Sequence, residues 1–96
     1  MIDLSIVIPA HNEEGVIGQT VRDLALRITR EGIVYEIVVV NDNSTDQTEV
    51  ILEQLRQEIQ NLKVVDNPPP SGFGFAVRHG IEETRGNHIA IMMADA

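Results

Sequence analysis

Tyr35-Glu36-Ile37-Val38-Val39-Val40-Asn41-Asp42-Asn43-Ser44-Thr45-Asp46 decides the fold. From Tyr35 to Val40 the residues are, apart from Glu36, aromatic or β-branched and nearly continuous in apolar character. A strand with one wet face alternates; a continuous run marks a strand buried on both faces, which parallel sheets covered by helices require. The following residues, Asn41 to Asp46, form a turn composition, because Asn, Asp and Ser side chains satisfy nearby backbone groups. The stretch therefore predicts a buried parallel strand that ends in a polar loop.

Working outward, Leu4 to Ile8 and His88 to Met93 carry the same signal, with a weaker run at Leu62 to Val65. His88 to Met93, like Tyr35 to Val40, reads as covered by helices on both faces. Between the first two runs, Val16, Thr20, Leu24 and Ile28, flanked by Ile17 and Val21, recur at helical spacing up to Gly32, with Asn12 placed as an N-cap. Ile51, Leu55 and Ile59 predict a second helix, and Ser44 with Gln47 three residues on has the spacing of a capping box. The prolines and glycines of Asn67-Pro68-Pro69-Pro70-Ser71-Gly72-Phe73-Gly74 predict a loop. A short helix from Phe75 to Thr84 and a turn at Arg85-Gly86-Asn87 precede the last strand. The order is β-α-β-α-β-α-β. Right-handed crossovers make 3-2-1-4 the most economical strand order of a three-layer α/β sheet, so the first and fourth strands meet at a topological switch point.

Composition narrows the function. The chain has 96 residues, fifteen acidic against seven basic, and a formal charge of -8. That charge repels nucleic acid and anionic membranes, so an anionic small molecule needs local help from backbone N–H groups, placed cations or a metal. Without cysteine there are no disulfides, thiolate metal sites or thiol nucleophiles. No apolar run approaches the ~20 residues that span a bilayer, and the start of the chain lacks a secretory pattern, which leads to the expectation of a cytoplasmic chain.

The residues that promise chemistry lie where strands end. Pro9-Ala10-His11-Asn12-Glu13-Glu14 follows the first strand. Glu13 and Glu14 have two readings: complements to a helix macrodipole, or acceptors for a ligand. Asp42 stands one residue past a buried strand, where carboxylates accept from a ribose or base. Gly72-Phe73-Gly74 lacks the third glycine of a dinucleotide fingerprint, Val77 standing in its place, and with Lys63 as the sole lysine there is no P-loop. Arg78 and His79 read as surface, His11 and His88 as structural histidines. Met93-Ala94-Asp95 delivers one carboxylate to the ligand edge, compatible with Mg²⁺ or Mn²⁺ held jointly by protein and substrate phosphates.

Taken together, these four motifs resemble the family 2 glycosyltransferases of the GT-A fold, and most closely the dolichyl- and polyprenyl-phosphate mannose and glucose synthases. The resemblance spans all 96 residues. It implies that residues 1–96 form the Rossmann-like, nucleotide-sugar-binding part of a GT-A domain, truncated after its fourth strand. Pro9, His11 and Glu13 would line the nucleotide pocket, with Val40 and Asp42 at the base or ribose. Met93, Ala94 and Asp95 would stand at the metal- and diphosphate-binding Asp-x-Asp element, of which only Asp95 matches. It further implies a UDP- or GDP-linked donor, inverting transfer of a hexose to an acceptor such as a polyprenyl phosphate, and a location peripheral to the membrane. The acceptor residues would follow residue 96, so this stretch alone would transfer no sugar. A truncated sheet edge favours homo-oligomers. The rival readings are a non-catalytic nucleotide-binding or partner-docking module and a nucleotidyltransferase, the latter disfavoured by the missing phosphate loop.

Overall fold

A computed structural model describes residues 1–95. Its elements are β1 (Leu4–Ala10), α1 (Ile17–Arg30), β2 (Tyr35–Asn41), α2 (Thr48–Glu58), β3 (Leu62–Asp66), α3 (Phe73–Glu82) and β4 (His88–Ile91). The four strands form one parallel sheet in the order β3-β2-β1-β4. Order, direction and three-layer architecture all match the sequence reading.

Strand alternation sends residues to two cores. Ile6, Ile8, Ile37 and Val39 meet Ile17, Val21, Leu52 and Leu55 of α1 and α2 on one face. Val7, Val38 and Val40 meet Ala76 of α3 on the other. Ile8, Ile17, Ile37, Leu52 and Leu55 are all fully buried, and each such side chain contributes about 2 kcal/mol of transfer free energy. The exposed Arg22 guanidinium forks onto Glu58, joining α1 to α2 at 2.9 and 3.0 Å; exposure limits what this ion pair adds.

Gly80 fixes how closely α3 approaches. A Cβ there would lie 2.5 Å from Val7 Cγ1 and 2.9 Å from Val40 Cγ2, so only glycine lets the helix rest on β1 and β2.

Several local expectations are corrected. Asn12 does not cap α1, which begins at Ile17 with no side-chain cap and no acidic residue in its first turn. Ser44 and Gln47 form no capping box: α2 starts at Thr48, and Asp46 Oδ1 accepts from the Thr48 N–H and hydroxyl. Phe73 and Gly74 belong to α3, not to the preceding loop. The last strand stops at Ile91, although the Met92 N–H still donates to the Val7 carbonyl.

The largest difference concerns β4, an edge strand exposed along its length. Ile89 and Ile91 lie opposite Ser5 and Val7, on the side of the sheet that carries α3. Because α3 rests over β1 and β2, these isoleucines stay about half exposed, as does Met93. On the other side a groove of about 780 Å³ lies between α1 and the end of β4, lined by Asp23, Leu24, Arg27 and Met92 among others; none of the candidate site residues lines it. His88 is exposed on this edge strand instead of filling a structural position. Among the described residues no helix is long and apolar enough to cross a membrane.

Candidate functional site

Parallel strands send all their carboxyl ends to one edge. There the loop after β1 and the loop after β2 are stitched into a single surface. The Asp42 N–H donates to the Ala10 carbonyl at 2.7 Å, and His11 Nδ1 donates to the Asp42 carbonyl at 2.6 Å. A carbonyl only accepts, so Nδ1 carries a proton in this bond. The backbone N–H groups of Asn12, Glu13 and Glu14 donate in turn to Ser44 Oγ, Thr48 Oγ1 and Asp46 Oδ2 at 3.0, 2.8 and 3.2 Å. The N–H groups of Thr45 and Asp46 donate back to Asn12 Oδ1 at 2.7 and 3.3 Å. Asn12 and Asn43 adopt positive φ, 52° and 57°, a region that Asn tolerates better than most residues.

Asp42 ties a third loop to this surface. Its Oδ1 accepts from Asn67 Nδ2 at 2.8 Å and Asn43 Nδ2 at 3.0 Å; its Oδ2 accepts from the Gly72 N–H at 2.9 Å. Gly72, at φ 139°, precedes the first residue of α3. Burial works against charge on Asp42, but the bonds from Asn67, Gly72 and Asn43, with a smaller contribution from His11, outweigh it and hold the carboxyl below its ordinary pKa. An ionised carboxylate has about four acceptor sites, so these three bonds leave one on Oδ2.

The other candidates divide by burial. Pro9 and Val40 pair across β1 and β2, both buried, and form the floor of the edge. Glu13 is half-buried, and its carboxylate has no hydrogen-bond or ion-pair partner among the described residues. Beyond β4, Ala94 is buried in the core cluster that includes Ala10 and Ile17, while Met93 and Asp95 are exposed. The Asp95 carboxylate has no hydrogen-bond or ion-pair partner among the described residues. Arg78 is exposed on α3.

One residue escaped the sequence reading. Asn41 ends β2 at 6% exposure, and its Oδ1 is a buried acceptor without a hydrogen-bond donor. The only signal was a polar residue closing a strand that is apolar but for Glu36.

Among the described residues no three His, Cys, Asp or Glu side chains cluster as a metal cage. The donor set therefore fits a divalent cation only in the shared mode, one exposed carboxylate, Asp95, plus oxygens brought by a substrate.

The parallel 3-2-1-4 sheet with helices on both faces defines a Rossmann-like architecture of the GT-A type. The family model for glycosyl transferase family 2 matches residues 5–96, and the chain belongs to that family. Among curated relatives, the probable glycosyltransferase YdaM of Bacillus subtilis is 38% identical over 96 residues, covering 96% of this chain and 22% of YdaM. The dolichyl-phosphate β-glucosyltransferase ALG5A of Trichomonas vaginalis is 32% identical over 97 residues, covering 96% of this chain and 30% of that protein. The chain thus spans between a fifth and a third of these relatives. Among solved structures, S. aureus TarS in complex with UDP-GlcNAc superposes with a TM-score of 0.81 at 29% identity, covering 98% of this chain and 27% of that one. Glucosyl-3-phosphoglycerate synthase from Mycobacterium tuberculosis, in complex with Mn²⁺, UDP and phosphoglyceric acid, gives a TM-score of 0.75 at 27% identity over 97% of this chain and 33% of that one.

Proposed function

We propose that this chain forms the donor site of a glycosyltransferase that takes a hexose from a nucleotide-diphospho-sugar. The observation that carries the reading is the joined loop surface at the carboxyl edge, which brings His11, Glu13 and Asp42 together. Such a site is organised before ligand arrives, so little ordering cost falls on binding. In this reading the free acceptor site of Asp42 Oδ2 takes an N–H of the base or a hydroxyl of the ribose, His11 lies along the base, and Glu13 accepts from the ribose. Pro9 and Val40 shape the floor. TarS and the M. tuberculosis synthase, whose complexes hold UDP-GlcNAc and UDP, support a nucleotide-linked donor here.

Asp95 would hold Mg²⁺ or Mn²⁺ together with the donor diphosphate, and such a cation when bound neutralises charge on the leaving group. Met93 and Ala94 set the backbone of the turn that bears Asp95. In the transfer, an acceptor oxygen forms a bond to the anomeric carbon as the bond to the diphosphate oxygen breaks, inverting the centre, and the nucleoside diphosphate leaves with the electron pair. A polyprenyl phosphate suits such a transfer, because its oxygen is largely deprotonated at neutral pH and attacks without losing a proton. Likeness to a dolichyl-phosphate glucosyltransferase points the same way, and such an acceptor would bring the reaction to a membrane surface.

The second reading, a nucleotide-binding module without transfer, is compatible with the single matching carboxylate, Asp95, of the Asp-x-Asp element. Calorimetry with UDP and GDP, with and without Mn²⁺, separates the two. A donor site binds one nucleotide more tightly with Mn²⁺; a non-catalytic module binds equally with and without it. With UDP- or GDP-hexose and a polyprenyl phosphate, residues 1–96 alone are expected to release no nucleoside diphosphate, and measurable turnover would contradict that expectation.

A further inference from the structure

We propose that Asn12 is a positioning residue for the nucleotide, acting through His11, Glu13 and Asp42. The inference rests on the donor-site reading above.

Its basis is that every polar group of Asn12 but its carbonyl is committed to the protein. The N–H donates to Ser44 Oγ at 3.0 Å, Oδ1 accepts from the N–H groups of Thr45 and Asp46 at 2.7 and 3.3 Å, and Nδ2 points to His11 Nε2 at 3.4 Å. Of the side chain's donors and acceptors, one N–H of Nδ2 is left without a protein partner among the described residues. Asn12 does not serve the core: it is exposed and lies in neither core cluster. An exposed side chain held at φ 52° and bonded to a loop more than thirty residues away stabilises a particular loop geometry, not a packed interior.

What it holds in place follows from sequence adjacency. His11 and Glu13 flank it on one loop, and the turn it clamps leads directly back to Asp42 on the other. Asp46, whose N–H it receives, in turn accepts the Glu14 N–H and orients Thr48, which receives the Glu13 N–H. Removal of the Asn12 acceptor therefore lets the two loops move relative to each other while the sheet beneath them stays intact.

Two variants separate conformation from clamping. Asn12→Gly keeps the positive φ and removes the acceptor; Asn12→Asp keeps both an acceptor oxygen and tolerance of that φ. UDP and GDP are titrated into the wild type and each variant, with folding followed by circular dichroism and binding by backbone amide NMR. The expected result for Asn12→Gly is a folded protein in which the Thr45 and Asp46 amide protons move upfield and nucleotide affinity falls about tenfold, the weight of roughly one hydrogen bond. Asn12→Asp restores both. If Asn12→Gly does not fold, Asn12→Ser, whose short hydroxyl serves at most one of the two N–H groups, carries the same expectation with a smaller loss. Equal affinity of the wild type and a folded clamp variant with shifted amides overturns the inference alone. Failure of the wild type to bind either nucleotide overturns the donor-site reading and this inference with it.

Discussion

Asp42 Oδ2 accepts a hydrogen bond from the Gly72 N–H at 2.9 Å, so the carboxylate at the end of β2 holds the loop that opens α3. One side chain thus serves two roles, as anchor for residues 67–72 and as the candidate ligand acceptor with one site still free. The same bonds hold its pKa below the ordinary carboxylate value. A group with a lowered folded pKa contributes stability that is fully present above its unfolded pKa of about 3.9 and is lost as pH falls through the folded value.

Stability is therefore expected to fall below about pH 4 partly through Asp42. Urea denaturation across that range checks this: Asp42→Asn, which cannot ionise, is expected to lower stability at pH 7 and to flatten the acid-side decline. A decline of unchanged steepness in the variant would show that Asp42 does not take part.

Gly80→Ala is expected to destabilise by about 1–3 kcal/mol, because the new methyl meets Val7 and Val40 in a packed layer. An unchanged denaturation midpoint would mean that α3 shifts without cost.

At the opposite edge of the sheet, Glu36 is 6% exposed and accepts from Ser5 Oγ at 2.7 Å and the Arg85 N–H at 2.6 Å, with Lys63 Nζ 4.0 Å away. The Gly86 N–H donates to Ser5 Oγ at 2.8 Å, which fastens the turn before β4 to the amino ends of β1 and β2. Glu36→Ala leaves buried donors unpaired and is expected to cost about 2–3 kcal/mol. Six residues of strand, about 20 Å, separate Glu36 from Asp42, so nucleotide affinity of the folded variant is expected to match the wild type. A loss of affinity in thermal and binding assays would show that the two edges are coupled.

The strand order was legible because four β-branched runs and three crossovers leave few windings. The position of the candidate edge was legible as well, since Glu13 and Asp42 stand just past strands whose direction the crossovers dictate. The caps were not. Asn12 and Ser44 have the residue types of local helix caps, yet both spend their hydrogen bonds on a loop about thirty residues distant, which rules based on near neighbours do not register. The apolar run at His88 was read as doubly covered, but periodicity reports only that a strand is apolar, not what lies over it. The Glu36 network and the anchoring role of Asp42 depend on contacts among three or four segments, and nothing in local sequence marks them.

In the proposed donor site the carboxyl edge binds a nucleotide whose diphosphate shares a divalent cation with Asp95. Backbone amide NMR of the 96-residue chain, titrated with UDP and with GDP and then with trace Mn²⁺, tests this. Shifts are expected at His11, Glu13, Asp42 and Gly72 with one of the two nucleotides, and paramagnetic broadening centred on Ala94 and Asp95 only when that nucleotide is present. A folded chain with no shifts at millimolar nucleotide, or broadening at Asp95 that is indifferent to nucleotide, would contradict it.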